Sequence, residues 1–128
     1  MNRKAISAED APDAIGPYSH AIRVGNSIFM SGQIALNPKN MELVSGSFRK
    51  ETKQVFANIS AVVNAAGGSL QDIVKLTVYL TDLKNFDMVN AVMSETFQYP
   101  FPARVAIGVS ALPRGATIEV EALAILSD

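Results

Sequence analysis

The 128 residues are 48% hydrophobic and 18% charged, with 11 Lys and Arg against 12 Asp and Glu for a net charge of −1. That length suits one domain, 1–128, with a sizeable core, and the near-neutral balance gives no general pull toward nucleic acid. No apolar run approaches the roughly eighteen residues of a membrane span, and a chain with no cysteine and a single histidine, His20, is not expected to bind metal or use a thiolate.

The N-terminal Met1-Asn2-Arg3-Lys4-Ala5-Ile6 is basic but lacks the apolar core of a signal peptide, which predicts a cytoplasmic protein. Residues 3–7 have weak strand character, and 8–14 read as a small-residue linker. Ile15-Gly16-Pro17-Tyr18 disfavours helix and presents Tyr18 at the mouth of a strand. Two strands, 19–24 and 27–34, flank Gly25-Asn26, a two-residue hairpin signal. The second holds Met30-Ser31-Gly32-Gln33. Gly32 inside a strand points first to a bulge, with close approach of a ligand or another backbone as the alternative.

Asn37-Pro38-Lys39-Asn40 is a loop, and 41–45 is ambiguous. Then the period changes to that of a helix. Phe48, Val55, Ile59, Val62 and Ala66 form a stripe widened by Phe56 and Val63, with Ser47 as N-cap and Gly67-Gly68 as the stop. Its length is roughly 28 Å at 1.5 Å per residue. Residues 72–80 return to strand, with Val74, Leu76, Val78 and Leu80 on one face and Lys75, Thr77 and Tyr79 on the other. A second helix covers 85–97, with Phe86, Val89, Met93 and Phe97 inward. Asn90 beside that stripe reads first as a solvated flank residue, and the prolines of Gln98-Tyr99-Pro100-Phe101-Pro102 end the helix.

The C-terminal stretch reads as two strands, 103–109 and 117–121, joined through Leu112-Pro113-Arg114-Gly115. Arg104 is a lone long cation among Ala103, Val105, Ala106, Ile107 and Gly108. Glu119 and Glu121 project from one face of the returning strand. An arginine fork in such a setting can hold a carboxylate bidentately, or it can form a buried Arg–Glu pair that staples the hairpin. Spacing alone leaves both open.

The order strand, hairpin, long helix, strand, helix, hairpin predicts an α+β fold: a mixed sheet of about six strands with two helices on one face. Nothing remains to cover the other face, which would carry Ile73, Thr77, Tyr79, Leu123 and Ile125. That face is too apolar to leave wet, so it predicts burial against another subunit.

Several blocks together resemble the RidA/YjgF family over essentially the whole chain. They are Ile15-Gly16-Pro17-Tyr18-Ser19, Ser31-Gly32-Gln33-Ile34, Val74-Lys75-Leu76-Thr77-Val78-Tyr79-Leu80-Thr81-Asp82, Pro102-Ala103-Arg104, Ala111-Leu112-Pro113-Arg114-Gly115 and Ile118-Glu119-Val120-Glu121-Ala122. The resemblance implies a chorismate-mutase-like fold, a homotrimer with clefts at the subunit interfaces, and no cofactor. It also implies hydrolytic deamination of reactive enamines and imines, 2-aminoacrylate and related 2-imino acids, to 2-keto acids and ammonia, as in 2-iminobutanoate/2-iminopropanoate deaminases.

By the same resemblance Arg104 is expected to clamp the substrate carboxylate and Glu119 to position water or donate a proton. Tyr18, Ser31, Gly32 and Asn90 are expected to line the cleft. Three positions depart from the family pattern: Val105 stands where many members carry Ser or Thr, His20 replaces the usual Gln, and Val120 replaces the commoner Ile. His20 is expected to be structural or solvent-exposed, not a base. A non-catalytic module that senses 2-keto acids in the same cleft is the alternative, and the loss of a hydroxyl at Val105 speaks for it. An RNA-directed role is disfavoured by the acidic balance and the lack of a basic stripe interleaved with aromatics.

Overall fold

The computed structural model describes residues 2–127. Six strands and two α-helices follow one another as β1 (Arg3–Ile6), β2 (Ala21–Val24), β3 (Ser27–Gln33), α1 (Phe48–Ala65), β4 (Ile73–Leu80), α2 (Phe86–Thr96), β5 (Ala103–Gly108) and β6 (Ile118–Ile125). They form one mixed sheet in the order β1-β2-β3-β6-β4-β5, as the α+β reading predicts. Among the described residues only β4 and β5 pair in parallel.

The expected C-terminal hairpin does not form. β6 lies between β3 and β4, antiparallel to both, and β5 sits beyond β4 at the sheet edge. The physical reason is burial. Ile118, Val120 and Ala124 are completely buried, so β6 is suited to the sheet centre, where both of its edges are paired. β5 is poorer in core residues, and α2 carries the chain from β4 to it as a crossover, the connection that parallel neighbours need.

Gly25-Asn26 does make the tight β2–β3 turn, with Val24 opposite Ser27 and Gly25 at φ +59°. α1 starts where the sequence places it: the Ser47 side chain accepts the Lys50 N–H at 3.1 Å. Its stripe of Val55, Phe56, Ile59, Val62 and Val63 is buried against the sheet. Each such side chain contributes about 1.5–3 kcal/mol on leaving water. Phe56 meets Phe97, just past α2, edge-on at 5.5 Å, tying the two helices together. Residues 41–45 contribute a single bridge, Leu43 to Leu36.

One side-chain assignment on β4 reverses. A bulge between Ile73 and Lys75 shifts the pairing with β6, so Ile73 enters the core and Val74 is left exposed. Beyond it the predicted alternation holds: Leu76, Val78 and Leu80 are buried. Thr77 and Tyr79 lie on the helix-free face with Leu123, Phe29, Val105, Ile107 and Ile125. The last four of these large apolar side chains, Phe29 among them, are 41–52% exposed.

Candidate active site

The β3 bulge builds one half of the candidate site. Pairing with β6 slips between Met30 and Gln33, so Ser31 and Gly32 together face the single position of Glu121. The bulge and the close approach coincide at Gly32. A Cβ placed there would lie 2.7 Å from Oε2 of Glu119 and 3.0 Å from its Cδ. A 390 Å³ cavity opens at this point, bringing together Tyr18, Ser31, Gly32 and Glu119 between walls of Ile15, Ile34, Leu36 and Pro113.

The hydrogen bonds define what each polar group can still offer. The Ser31 hydroxyl donates to the Ser19 carbonyl at 2.6 Å, leaving its lone pairs to accept. The Tyr18 oxygen accepts the Ile15 N–H at 3.4 Å, leaving its own O–H to donate. Burial pushes the half-buried Glu119 carboxyl above its ordinary value, and the nearby charge of Glu121 adds to that. Among the described residues nothing donates a hydrogen bond to Glu119. This carboxyl therefore holds its proton to higher pH than an ordinary glutamate does.

His20 holds the rim. It is buried, its Nδ1 accepts the Ala8 N–H at 2.9 Å, and its Nε2–H donates to the Pro12 carbonyl at 2.7 Å. Both nitrogens are thus engaged with the backbone of the linker that borders the cleft, the structural role expected of it.

Arg104 lies elsewhere. It pairs across strands with Leu76, which faces the core, whereas Glu119 pairs with Tyr79 on the helix-free face. Directly paired residues share a face, so Arg104 and Glu119 are on opposite sides of the sheet. The Arg–Glu staple is therefore not formed. Arg104 instead reaches α2, where Nη1 donates to Asn90 Oδ1 at 2.5 Å and to Met93 Sδ at 3.4 Å, and the guanidinium stacks 4.8 Å from the Phe86 ring centroid. Asn90 is not a free flank amide: its oxygen orients the arginine. With Nη1 taken, the Nε–Nη2 edge of the fork remains for a carboxylate.

Three contributors escaped the sequence reading. Asn58 is buried in the apolar stripe of α1 and donates to the carbonyls of Ile34 and Leu36, 3.1 and 2.9 Å away, fixing the floor of the cleft. The available signal was an amide one position before Ile59 on the buried face. Phe86 looked like core but stacks on Arg104, and Tyr79 looked like a plain outward residue but donates to Glu121. A larger cavity of 770 Å³, between the C-terminal ends of the helices and residues 98–102, is lined by amides and hydroxyls such as Asn64, Gln71, Thr96 and Gln98. It carries neither carboxylate nor cation, so the smaller cleft is the better candidate.

A six-stranded mixed sheet with two helices, a glycine bulge against a half-buried carboxyl and an arginine at the far edge define a Rid-type domain. The model of the family described as Endoribonuclease L-PSP matches residues 8–126, and the chain belongs to that family, the RidA/YjgF group. A RutC family protein of Pyrococcus abyssi is 51% identical over 124 residues, covering 97% of this chain and 98% of that one. The human 2-iminobutanoate/2-iminopropanoate deaminase is 46% identical over 123 residues, 96% of this chain and 90% of its own length. The crystal structure of RidA from an Antarctic Psychrobacter superposes with a TM-score of 0.93 at 45% identity, covering 96% of this chain and 99% of that one.

Proposed function

We propose that this protein hydrolyses 2-aminoacrylate and related 2-imino acids to 2-keto acids and ammonia, in clefts shared between neighbouring chains of a homotrimer. The observation that carries the reading is the division of one chemistry between two faces of one chain. Glu119, Ser31, Gly32 and Tyr18 meet in a cleft that has no carboxylate-binding cation, and Arg104 with Asn90 offers such a cation on the opposite side of the sheet. The exposed apolar face supplies a reason to associate. Association of three copies lets the arginine of one chain complete the cleft of the next, and the relatives named as deaminases support the substrate class.

The steps balance around one proton. Arg104 holds the planar carboxylate of the enamine, and protonated Glu119 delivers its proton to the terminal carbon, giving the iminium. The resulting Glu119 carboxylate takes a proton from a water as its oxygen bonds to the imino carbon. The tetrahedral amino alcohol then collapses: Glu119 passes its proton to the amino nitrogen, the C–N bond breaks and ammonia leaves, and the hydroxyl proton returns to Glu119 as the keto C=O forms, so that Glu119 ends protonated as at the start. The Ser31 and Tyr18 hydroxyls, which line the same cleft, orient that water. No metal or cofactor enters these steps.

A sensor of 2-keto acids is the second reading, favoured by Val105, an exposed apolar side chain on the helix-free face at a position where the family pattern often carries a hydroxyl. One experiment separates the two. Imines are generated in situ from several amino acids by an oxidase or dehydratase, and keto-acid release is followed with and without the protein. Acceleration over the spontaneous rate that disappears in Glu119→Gln and Arg104→Ala supports the enzyme. Thermal stabilisation by 2-keto acids without acceleration supports the sensor.

A further inference from the structure

Glu119 and Glu121 stand two residues apart on β6 and project onto the same helix-free face. Tyr79 on β4 lies directly opposite Glu119, yet its hydroxyl donates to Oε1 of Glu121 at 2.5 Å. The bond holds the Glu121 carboxyl against β4. Glu119 has no such donor among the described residues. Two carboxyls of identical chemistry on one strand are thereby given different surroundings by one tyrosine.

We propose that Glu121, anchored by Tyr79, is a positioning residue for the Glu119 carboxyl, acting through its negative charge to keep the catalytic proton in place. This rests on the deaminase reading above. In that assembly a neighbouring chain's Arg104 approaches the cleft and, as a cation, draws the proton off Glu119. Glu121 supplies the opposing charge from inside the chain. It lies one turn of the pleat away from the reacting atoms, so it counters the arginine without competing for the substrate.

The other charged groups around the pair do not substitute for it. On β4 the same face presents Lys75, Thr77 and Tyr79, and on β3 it presents Phe29 and the bulged Ser31. Lys75 shares a small cavity with Glu121 but sits opposite Leu123, two residues further from Glu119, and among the described residues it forms no ion pair within 4 Å. β5 contributes only the apolar Ala103, Val105 and Ile107 to this face. Asp13 lines the Glu119 cleft from the linker, but it is exposed, and water screens its charge. The upward displacement of the Glu119 carboxyl by burial and by Glu121 accords with this arrangement.

The test uses Glu121→Gln, whose amide oxygen still accepts the Tyr79 hydroxyl while its charge is gone, beside Glu121→Asp, which keeps the charge. In the assembled full-length protein the Glu119 carboxyl is titrated by carbon NMR and assigned with Glu119→Gln, and kcat/KM is measured against pH. The expected result for Glu121→Gln is a Glu119 midpoint at lower pH. Its activity is lost earlier as pH rises, with near-normal turnover in acid. Glu121→Asp restores both. A Glu119 midpoint that does not move in Glu121→Gln overturns the proposal. If Glu119→Gln turns imines over like the wild type, the deaminase role of Glu119 fails instead, and the NMR midpoint still reads the coupling by itself.

Discussion

Gly32 lies directly against the carboxylate of Glu119: a single added methyl at 32 would stand 2.7 Å from Oε2. The atoms it would meet are the end of a flexible side chain, and the φ of Gly32 is not in the left-handed region, so the backbone can accept alanine. The carboxylate must move. Gly32→Ala is therefore expected to leave the melting temperature within a few degrees of wild type while lowering kcat/KM about ten- to a hundredfold. Melting curves and imine kinetics on one preparation decide it; a fully active Gly32→Ala would mean that the Glu119 position is immaterial to turnover.

The raised Glu119 carboxyl also links activity to stability. In the unfolded chain it titrates near its ordinary value of 4.5, and in the folded chain it titrates higher, burial being the larger cause. Its folded-state contribution is thus fully present below the unfolded value and is lost as pH rises through the folded one. Above the folded-state value the ionised, half-buried carboxylate destabilises the fold, and there Glu119→Gln should melt at a higher temperature than wild type. The difference should shrink to nothing as pH falls below about 4. A gap independent of pH would mean that the glutamine acts by some route other than charge.

The helices, the strands and the sidedness of β6 are legible in the sequence because each rests on a local period. The position of β5 is not, because a loop with turn residues between two strands is consistent with either a hairpin or a longer return. Which neighbour β6 takes is decided by the burial of Ile118, Val120 and Ala124, a non-local quantity. The same holds at Val74, where a one-residue bulge swaps Ile73 into the core. Arg104 stands out in the sequence as an isolated cation and Glu119 as one of two carboxylates on a strand face, and motif resemblance pairs Arg104 with Glu119. Only the register of β4 with both flanking strands reveals that the pair is split between two faces.

The cradle of Arg104 makes its replacement informative. Lysine at 104 keeps the charge but loses the fork and the stack on Phe86. Losing one of two charge-assisted hydrogen bonds to the substrate costs about 1.5–3 kcal/mol, roughly ten- to a hundredfold in kcat/KM. Arg104→Ala should lose more. Neither leaves a buried carboxylate without a partner, since the arginine's protein partners are Asn90, Met93 and the Phe86 ring, so stability should fall by only about 1 kcal/mol. Large melting shifts in proportion to lost activity would reassign Arg104 to the fold.

Separation of Arg104 and Glu119 on opposite faces gives a test of the shared cleft that needs no structure of the assembly. Arg104→Ala and Glu119→Gln are each expected to be inactive when assembled alone, because every cleft then carries one lesion. Refolded together in equal amounts, the chains distribute at random around a closed ring. A cleft is intact when its arginine comes from a Glu119→Gln chain and its glutamate from an Arg104→Ala chain, which holds for about a quarter of the clefts. Imine turnover should therefore reappear at about a quarter of the wild-type level. Light scattering on the same sample should give three chains per particle. Were the site contained in one chain, mixing would restore nothing, since no chain in the mixture holds both residues. Absent recovery from properly assembled trimers would place the chemistry away from the interface and separate Arg104 from the reaction of Glu119.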